Sequence, residues 1–322
     1  MRAVQLEELT GPEGLRLVEV AEPVDSTGVV IDLHAAGVCF PDLLQTTGSH
    51  QMARVLPCVL GLEGAGIVRS APAGSGLSPG KRVAVLTTEG GSWQRTVVAD
   101  ASSVFSLPDS VSLAAGSGFL VNYLTAHFAL DERARYRVGE TVLVHGAAGG
   151  LGIAALHVAT ALGLETIAVV SAPEKAEIAT ESGATHVVLT DGWKERVQQI
   201  TKGRGVDVIL DPVGGDRFTD SLRSLAPNGR LIVLGFAGGE IPTVKVNRLL
   251  LKNISVMGAG WGGYLKTDPG YLARQWNALY PLLESGVLQV PEPTLYPLAR
   301  AVDALTTLKE RSAIGKVALS FE

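Results

Sequence analysis

Residues 141–152 read Thr-Val-Leu-Val-His-Gly-Ala-Ala-Gly-Gly-Leu-Gly, and they constrain the fold more than any other stretch of the chain. A β-branched apolar run, Thr141 to Val144, stops at a glycine-rich turn, and an apolar helical run from Leu151 to Leu162 follows. Strand, tight turn and helix start, in that order, make a cradle for a dinucleotide pyrophosphate. Small residues let the backbone approach the phosphates, and the helix N-terminus supplies N–H donors and a favourable dipole. The turn is Ala147-Ala148-Gly149-Gly150-Leu151-Gly152, with alanine where G-x-G-x-x-G has its first glycine. Taken alone, such a turn also reads as a glycine-rich packing turn. Its context selects the nucleotide reading.

That context is a repeated β-α rhythm. Strand-like runs at 141–145, 166–171, 186–189, 206–210 and 230–234 alternate with helical runs at 150–162, 173–182, 192–202 and 215–224. Residues 254–257 add a sixth strand, and a helix follows near 269–285. Repeated β-α units with right-handed crossovers predict a Rossmann domain, a doubly wound parallel sheet, over 121–265. Up to about residue 120 the pattern differs: short apolar runs such as 29–33, 66–68, 82–86 and 95–98 are split by Gly, Pro and Asp. That spacing predicts an antiparallel, barrel-like domain over 1–120. The tail, including a strand at 318–321, rejoins it, so 266–322 is assigned to the same domain. The fold class is α/β.

The 322 residues suit two domains. A net charge of −5 with no basic stripe argues against nucleic acid as a partner. The most apolar stretch, 141–164, carries histidines and many glycines and reads as a buried strand and helix, not a membrane span. Glu7 and Glu8 stand where a leader would be apolar, and there are only two cysteines, Cys39 and Cys58. A cytoplasmic protein without a disulfide framework is expected.

The second Rossmann strand ends at Ser171, nineteen residues after Gly152. An acid there would hold the ribose 2′-hydroxyl of NAD. The chain instead offers Ser171 and Lys175, which suit a 2′-phosphate and hence NADP (NADPH). Lys175 reads otherwise as an exposed helix lysine.

From these motifs the chain resembles the zinc-independent branch of the medium-chain dehydrogenase/reductase superfamily, the quinone oxidoreductase (zeta-crystallin-like) family. The resemblance runs nearly end to end. It rests on His34-Ala35-Ala36-Gly37-Val38-Cys39 with Asp42, on Leu56-Pro57 and Gly61-Leu62-Glu63-Gly64-Ala65-Gly66, and on Pro79-Gly80-Lys81-Arg82-Val83. It continues through Leu107-Pro108-Asp109, Leu124-Thr125-Ala126, the 147–152 turn, Asp211-Pro212-Val213-Gly214-Gly215 and Gly315-Lys316-Val317. It implies a GroES-like barrel domain around a Rossmann domain, with the substrate cleft between them and homodimers paired through the Rossmann sheet edge at 254–257.

Zinc relatives carry a cysteine near position 39, a histidine in Gly-His-Glu and a third ligand before the Rossmann domain. A catalytic zinc needs three protein ligands and one open position. Here Cys39 and Glu63 are present, Leu62 takes the histidine position, and no cysteine follows Cys58. No zinc is expected. Without that Lewis acid the hydride acceptor must be activated by its own conjugation, as in quinones and α,β-unsaturated carbonyls.

Candidate catalytic residues are Cys39, Asp42 and Tyr123. Cys39 stands where many relatives carry an asparagine beside the nicotinamide; its other reading is a small buried thiol. Asp42 is a catalytic acid or a turn cap. Tyr123 is a proton donor or a packed core tyrosine. The expected cofactor-binding residues are Thr125, Ala148, Gly149, Gly150, Leu151, Ser171, Lys175, Val213, Gly235, Phe236, Gly260, Trp261 and Lys316. Within this set the resemblance puts Thr125 near the nicotinamide and Lys316 on the cofactor phosphates, with a surface lysine as the other reading of Lys316. Trp261 walls the nicotinamide or substrate pocket, or else lies in a loop at a dimer edge. His50 and Tyr264 are further cleft candidates, while His127, His145 and His157 read as core or supporting histidines. Cys58 has no assigned role. Two departures from the family pattern are Trp93 in Gly91-Ser92-Trp93-Gln94-Arg95, which predicts an altered pocket, and Thr190 where an aromatic stacks on adenine in quinone reductases.

The first functional reading is an NADPH-dependent, zinc-free oxidoreductase acting on a small-molecule quinone or conjugated carbonyl, with no nucleic-acid or membrane partner and as a homodimer. The second is an enoyl-thioester (acyl-CoA) reductase, for which Arg54, Arg248, Lys252 and Lys266 would have to line a CoA channel. The third is a non-catalytic dinucleotide-binding protein.

Overall fold

The strand Val29–Val38, VVIDLHAAGV, is buried along nearly its whole length, so it reads as an apolar run and not as an alternating one. It organises the first of two units. The computed structural model describes residues 1–23, 27–52 and 54–321 and divides into Met1–Val121 with Leu272–Glu322, and Asn122–Tyr271.

In the first unit Val29–Val38 pairs antiparallel with Glu63–Ser70, Thr96–Ala99 and Val317–Ser320. The sheet continues through Arg82–Leu86 to Val104–Ser106, and on its other side to Thr294–Pro297. A three-stranded sheet holds Leu15–Glu19, Arg2–Leu6 and Cys58–Val59. This is the GroES-like unit. Its central strand slips register between Leu33 and Ala35, beside Gly66. A Cβ on Gly66 would lie 2.0 Å from the Asp32 carbonyl oxygen, so only glycine lets the two strands close at this bend. Trp93 is fully buried and its indole N–H donates to the Gly37 carbonyl at 3.1 Å. It belongs to the core and does not line a pocket. The C-terminal strand sets Val317 opposite Val38, which brings Lys316 beside Cys39.

The second unit is a six-stranded parallel sheet in the order His186–Leu189, Glu165–Val170, Thr141–His145, Val206–Asp211, Leu225–Val233, Ser255–Gly258. This is the Rossmann order. The direction of strand addition reverses between Thr141–His145 and Val206–Asp211, and open α/β sheets bind ligands outside the carboxyl ends of strands at such a switch point. Buried Leu143, Ile167, Val169, Ile209 and Leu231 form its core with Trp193, Phe218 and Leu222. Leu225–Val233 starts earlier than the expected 230, because Asn228 at φ 62° and a register shift carry the ladder through a Pro-Asn-Gly segment that reads as a loop. Among the described residues no helix is long and apolar enough to cross a membrane.

Candidate active site

The helix Gly150–Ala161 follows the Thr141–His145 strand after Gly146, which adopts φ 59°. Its N-cap is Gly149, and no side chain caps it. First-turn N–H groups left this way are anion donors. Gly152 is required by packing, since a Cβ there would lie 2.3 Å from the Gly146 carbonyl oxygen. Gly149 is different: the nearest atom to a Cβ would be 3.5 Å away.

The same holds along the carboxyl edge of the sheet. A Cβ on Gly235 would stop 3.4 Å from the Pro212 carbonyl oxygen, and on Gly258, Gly260, Gly262 or Gly263 it would meet nothing within 4 Å. None of these glycines has a left-handed φ. Neither the backbone nor internal packing asks for glycine there, so the absent side chains leave room for a molecule from outside the chain. The residues present therefore fit a dinucleotide. Ala148 is buried, while Gly150, Leu151, Val213 and Phe236 are half-buried around this edge. Asp211 Oδ1 accepts the N–H groups of Val213 and Gly214, both at 2.9 Å, and so folds the turn that carries Val213. Burial pushes the Asp211 carboxyl up.

Ser171 is exposed directly after the Glu165–Val170 strand, and Lys175 ends the short 3-10 turn Pro173–Lys175. Trp261 opens the helix Trp261–Thr267 and is buried at 7% exposure. Tyr264 packs on Phe128 and Tyr271, with ring centroids 5.0 and 4.9 Å apart.

In the helix Leu120–Phe128, Tyr123 Oη lies 2.8 Å from His157 Nδ1. The two rings are nearly parallel at 6.0 Å. Burial holds His157 neutral, with its pKa lowered to about 4, and raises that of the Tyr123 phenol. Thr125 lies two residues on, about 200° around the helix, so a cofactor on the Thr125 face leaves Tyr123 on the opposite one. The tyrosine is buried, at 4% exposure. His145 is likewise core: Nε2 lies 2.8 Å from Ser221 Oγ, the ring meets Trp193 edge-on, and burial lowers its pKa to about 3. His127 is buried, and His50 Nδ1 accepts the Met52 amide at 3.3 Å.

In the first unit Cys39, Asp42, Glu63 and Lys316 form one buried cluster. Lys316 Nζ donates to Glu63 Oε1 at 2.6 Å and to Cys39 Sγ at 3.1 Å. The Cys39 thiol donates to Glu63 Oε1 at 3.2 Å. Glu63 Oε2 accepts the Val121 amide at 2.8 Å, and Asp42 Oδ2 accepts the Cys39 amide at 2.8 Å. Burial raises the Cys39 thiol, and raises the Asp42 carboxyl to about 7 against the pull of the Cys39 amide. Burial pulls the Lys316 ammonium down, but Cys39 and Glu63 outweigh it and its pKa is raised. Lys316, expected on the cofactor phosphates, here sets its ammonium on Glu63 Oε1 and Cys39 Sγ. Cys39 is buried, and Asp42 caps the start of the Phe40–Thr46 helix through the Cys39 amide.

Glu63 and His157 complete these contacts; the sequence marks the first only within the zinc pattern and the second only as a core or supporting histidine. The signal for Glu63 was an acid heading the small apolar run Gly64-Ala65-Gly66, which must find a partner if that run is buried. Two of the basic residues considered for a CoA channel have structural partners. Arg54 donates to the Thr88 carbonyl, and Lys252 donates to the carbonyls of Arg223 and Leu225.

One GroES-like unit and one Rossmann unit with an open glycine edge in a single chain define a medium-chain dehydrogenase/reductase. The family model for the alcohol dehydrogenase GroES-like domain matches residues 25–109, and that for zinc-binding dehydrogenases matches 150–282. Quinone oxidoreductase-like protein 2 of Rattus norvegicus is 37% identical over 100% of this chain and 92% of its own. The crystal structure of Escherichia coli quinone oxidoreductase complexed with NADPH superimposes with a TM-score of 0.88 at 30% identity, covering 99% of this chain and 100% of that one. The structure of CurK enoyl reductase gives 0.87 at 25% identity, covering 99% and 98%. The chain belongs to the quinone oxidoreductase family of this superfamily.

The second family model implies zinc, and the residues do not fit it. Leu62 stands at the histidine position, and the Lys316 ammonium lies against both Cys39 Sγ and Glu63 Oε1. Among the described residues no three of His, Cys, Asp and Glu come together as a metal site.

Proposed function

We propose that this chain is an NADPH-dependent, zinc-free oxidoreductase that reduces quinones or related conjugated carbonyls by hydride transfer. One observation carries the reading: glycines at the carboxyl edge of the Rossmann sheet that neither backbone nor packing requires, next to an uncapped helix N-terminus. Bound NADPH supplies the hydride. Gly149, Gly150 and Leu151 offer backbone N–H groups to the pyrophosphate, with Ala148 packed beneath. Ser171 and Lys175 receive the 2′-phosphate. Val213, Gly235, Phe236, Gly260 and Trp261 border the remainder, and Thr125 faces the nicotinamide. Tyr123, anchored on His157, holds the Thr125 helix in place and gives up no proton. A reduced quinone needs no positioned acid, because its anion takes a proton from water. The chain works as a homodimer through the outer strand of the Rossmann sheet.

The relatives' names support the oxidoreductase class and the crystal complex supports NADPH. The CurK neighbour keeps an enoyl-thioester acceptor as the second reading. The engagement of Arg54 and Lys252 elsewhere tells against a CoA channel.

The test follows NADPH oxidation by the metal-free protein with an ortho-quinone and a short 2-enoyl-CoA in parallel, and NADH as control. Faster turnover with the quinone and a preference for NADPH are expected. Turnover mainly with the enoyl-CoA moves the acceptor to the second reading. Tight NADPH binding with no oxidation by either acceptor leaves the non-catalytic reading.

A further inference from the structure

Cys39 Sγ, Glu63 Oε1 and Lys316 Nζ form a closed triangle inside the first unit, with sides of 3.2, 3.1 and 2.6 Å. The proposed reduction uses none of these atoms. We propose that Cys39 and Lys316 are an oxidant-sensitive pair that dioxygen joins through a single oxygen atom, Sγ–O–Nζ, in a covalent tie that thiols reverse.

Three features support it. Sulfur and nitrogen are already in contact, so inserting an oxygen moves them together by only a fraction of an ångström, whereas a direct S–N bond needs a much larger closure. The lysine stem is held where it is: a Cβ on Gly118 would lie 2.5 Å from Lys316 Cγ and 2.9 Å from Cε, so the stem lies along a surface that only glycine leaves free. The backbone pairing of Val317 with Val38 fixes both residues in register. Glu63 Oε1 touches both reacting groups and serves as the local proton acceptor for either.

The step balances. Sulfur gives up two electrons and nitrogen two, and dioxygen takes all four. One oxygen atom becomes the bridge and the other becomes water. The thiol S–H, two N–H bonds and the dioxygen bond break, and S–O and O–N bonds form. Of the hydrogens on thiol and ammonium, one stays on nitrogen, two enter the water and one leaves as a proton by way of Glu63. Burial keeps the thiol protonated and slow to react, so the tie forms under sustained oxidant and not in every turnover. Once formed, it removes the Lys316 charge and leaves Glu63 with the Val121 amide.

The test is peptide mass spectrometry on the purified full chain held under 18O-labelled dioxygen, with an anaerobic control and the half-buried Cys58 as an internal standard of oxidant exposure. The expected product is a Cys39 peptide joined to a Lys316 peptide, with one oxygen gained and two hydrogens lost, carrying the label and split by dithiothreitol. Cys39→Ser and Lys316→Arg, each checked for folding by circular dichroism, give no joined peptide. The proposal is overturned by oxidation of Cys58 with Cys39 and Lys316 unjoined, by higher oxidation of Cys39 beside an unmodified Lys316, or by a joined pair without the labelled oxygen.

Discussion

The Glu63–Lys316 pair shows what one residue can decide. Glu63 is fully buried and the Lys316 side chain is 10% exposed, so water screens neither charge well. Removing one partner strands the other, at a cost of about 3–5 kcal/mol, whereas removing both is far milder. Lys316→Met is therefore expected to lose stability in that range, and Glu63→Gln added to it is expected to recover much of the loss. Urea unfolding of the two variants checks this, and a loss under about 1 kcal/mol for Lys316→Met would refute the buried pair. Asp42 makes a second prediction, with a sign fixed by burial. Its carboxyl lies at about 7 in the fold against an ordinary 3.8, so the folded chain holds an extra proton between those values. The stability this proton confers is complete below about pH 4 and is lost as pH rises through about 7, at no more than about 1.4 kcal/mol per pH unit. Asp42→Asn keeps an acceptor for the Cys39 amide and cannot ionise. Its stability relative to the parent should thus improve from pH 5 to about pH 7 and level off from there to pH 8, with Glu63 and Lys316 unchanged in both proteins. Parallel stability curves across that range count against a buried, protonated Asp42.

At the scale of the element, the dinucleotide turn separates glycines kept for the chain from glycines kept for its ligand. Gly152→Ala pushes a methyl group onto the backbone of Gly146 and Ala147, an overpacking cost of about 1–3 kcal/mol. Gly149→Ala meets no atom of the chain closer than 3.5 Å, yet enters the space assigned to the pyrophosphate. Expected results are a destabilised Gly152→Ala, and a Gly149→Ala protein that melts near the parent but binds NADPH about tenfold more weakly or worse, a loss of about 1.4 kcal/mol. Thermal melts with fluorescence titration of NADPH distinguish the two. Equal NADPH affinity in Gly149→Ala and the parent would remove the pyrophosphate from this turn. The turn was legible in the sequence because every residue that forms it is adjacent along the chain. The strands Thr141–His145, His186–Leu189 and Arg82–Leu86 were legible for the same reason, since each is an uninterrupted apolar run. Phe40–Thr46 was not, because a short helix opened by Pro41 and closed within two turns carries too little periodicity to show. Its cap is a contact between Cys39 and Asp42, and residue type alone leaves Asp42 with two readings, catalysis or a turn cap.

At the scale of the molecule, what stayed hidden was contact across large sequence separation. Cys39 and Lys316 were each noticed, but 277 positions separate them, and only the antiparallel return of Val317–Ser320 onto Val29–Val38 makes them neighbours. No spacing rule reaches that far, and a buried lysine looks like a surface lysine until its partner is found. The return of the tail was itself readable as a strand, so the architecture was more legible than the chemistry it assembles. The outer Rossmann strand poses the remaining question of assembly. Among the described residues Ser255–Gly258 pairs on one side only, with Leu225–Val233. Its sequence neighbours Ile241, Val246, Leu250 and Leu251 are 70, 72, 78 and 80% exposed. An outer strand and several large exposed aliphatic side chains in the segment before it are liabilities that a second copy would cover. Leu250→Glu with Leu251→Glu places charge on side chains that make little use of the folded interior, so the chain should fold normally and sediment as a monomer where the parent sediments as a dimer. A parent that is monomeric at tens of micromolar, measured by sedimentation velocity, would show that the edge is protected in some other way.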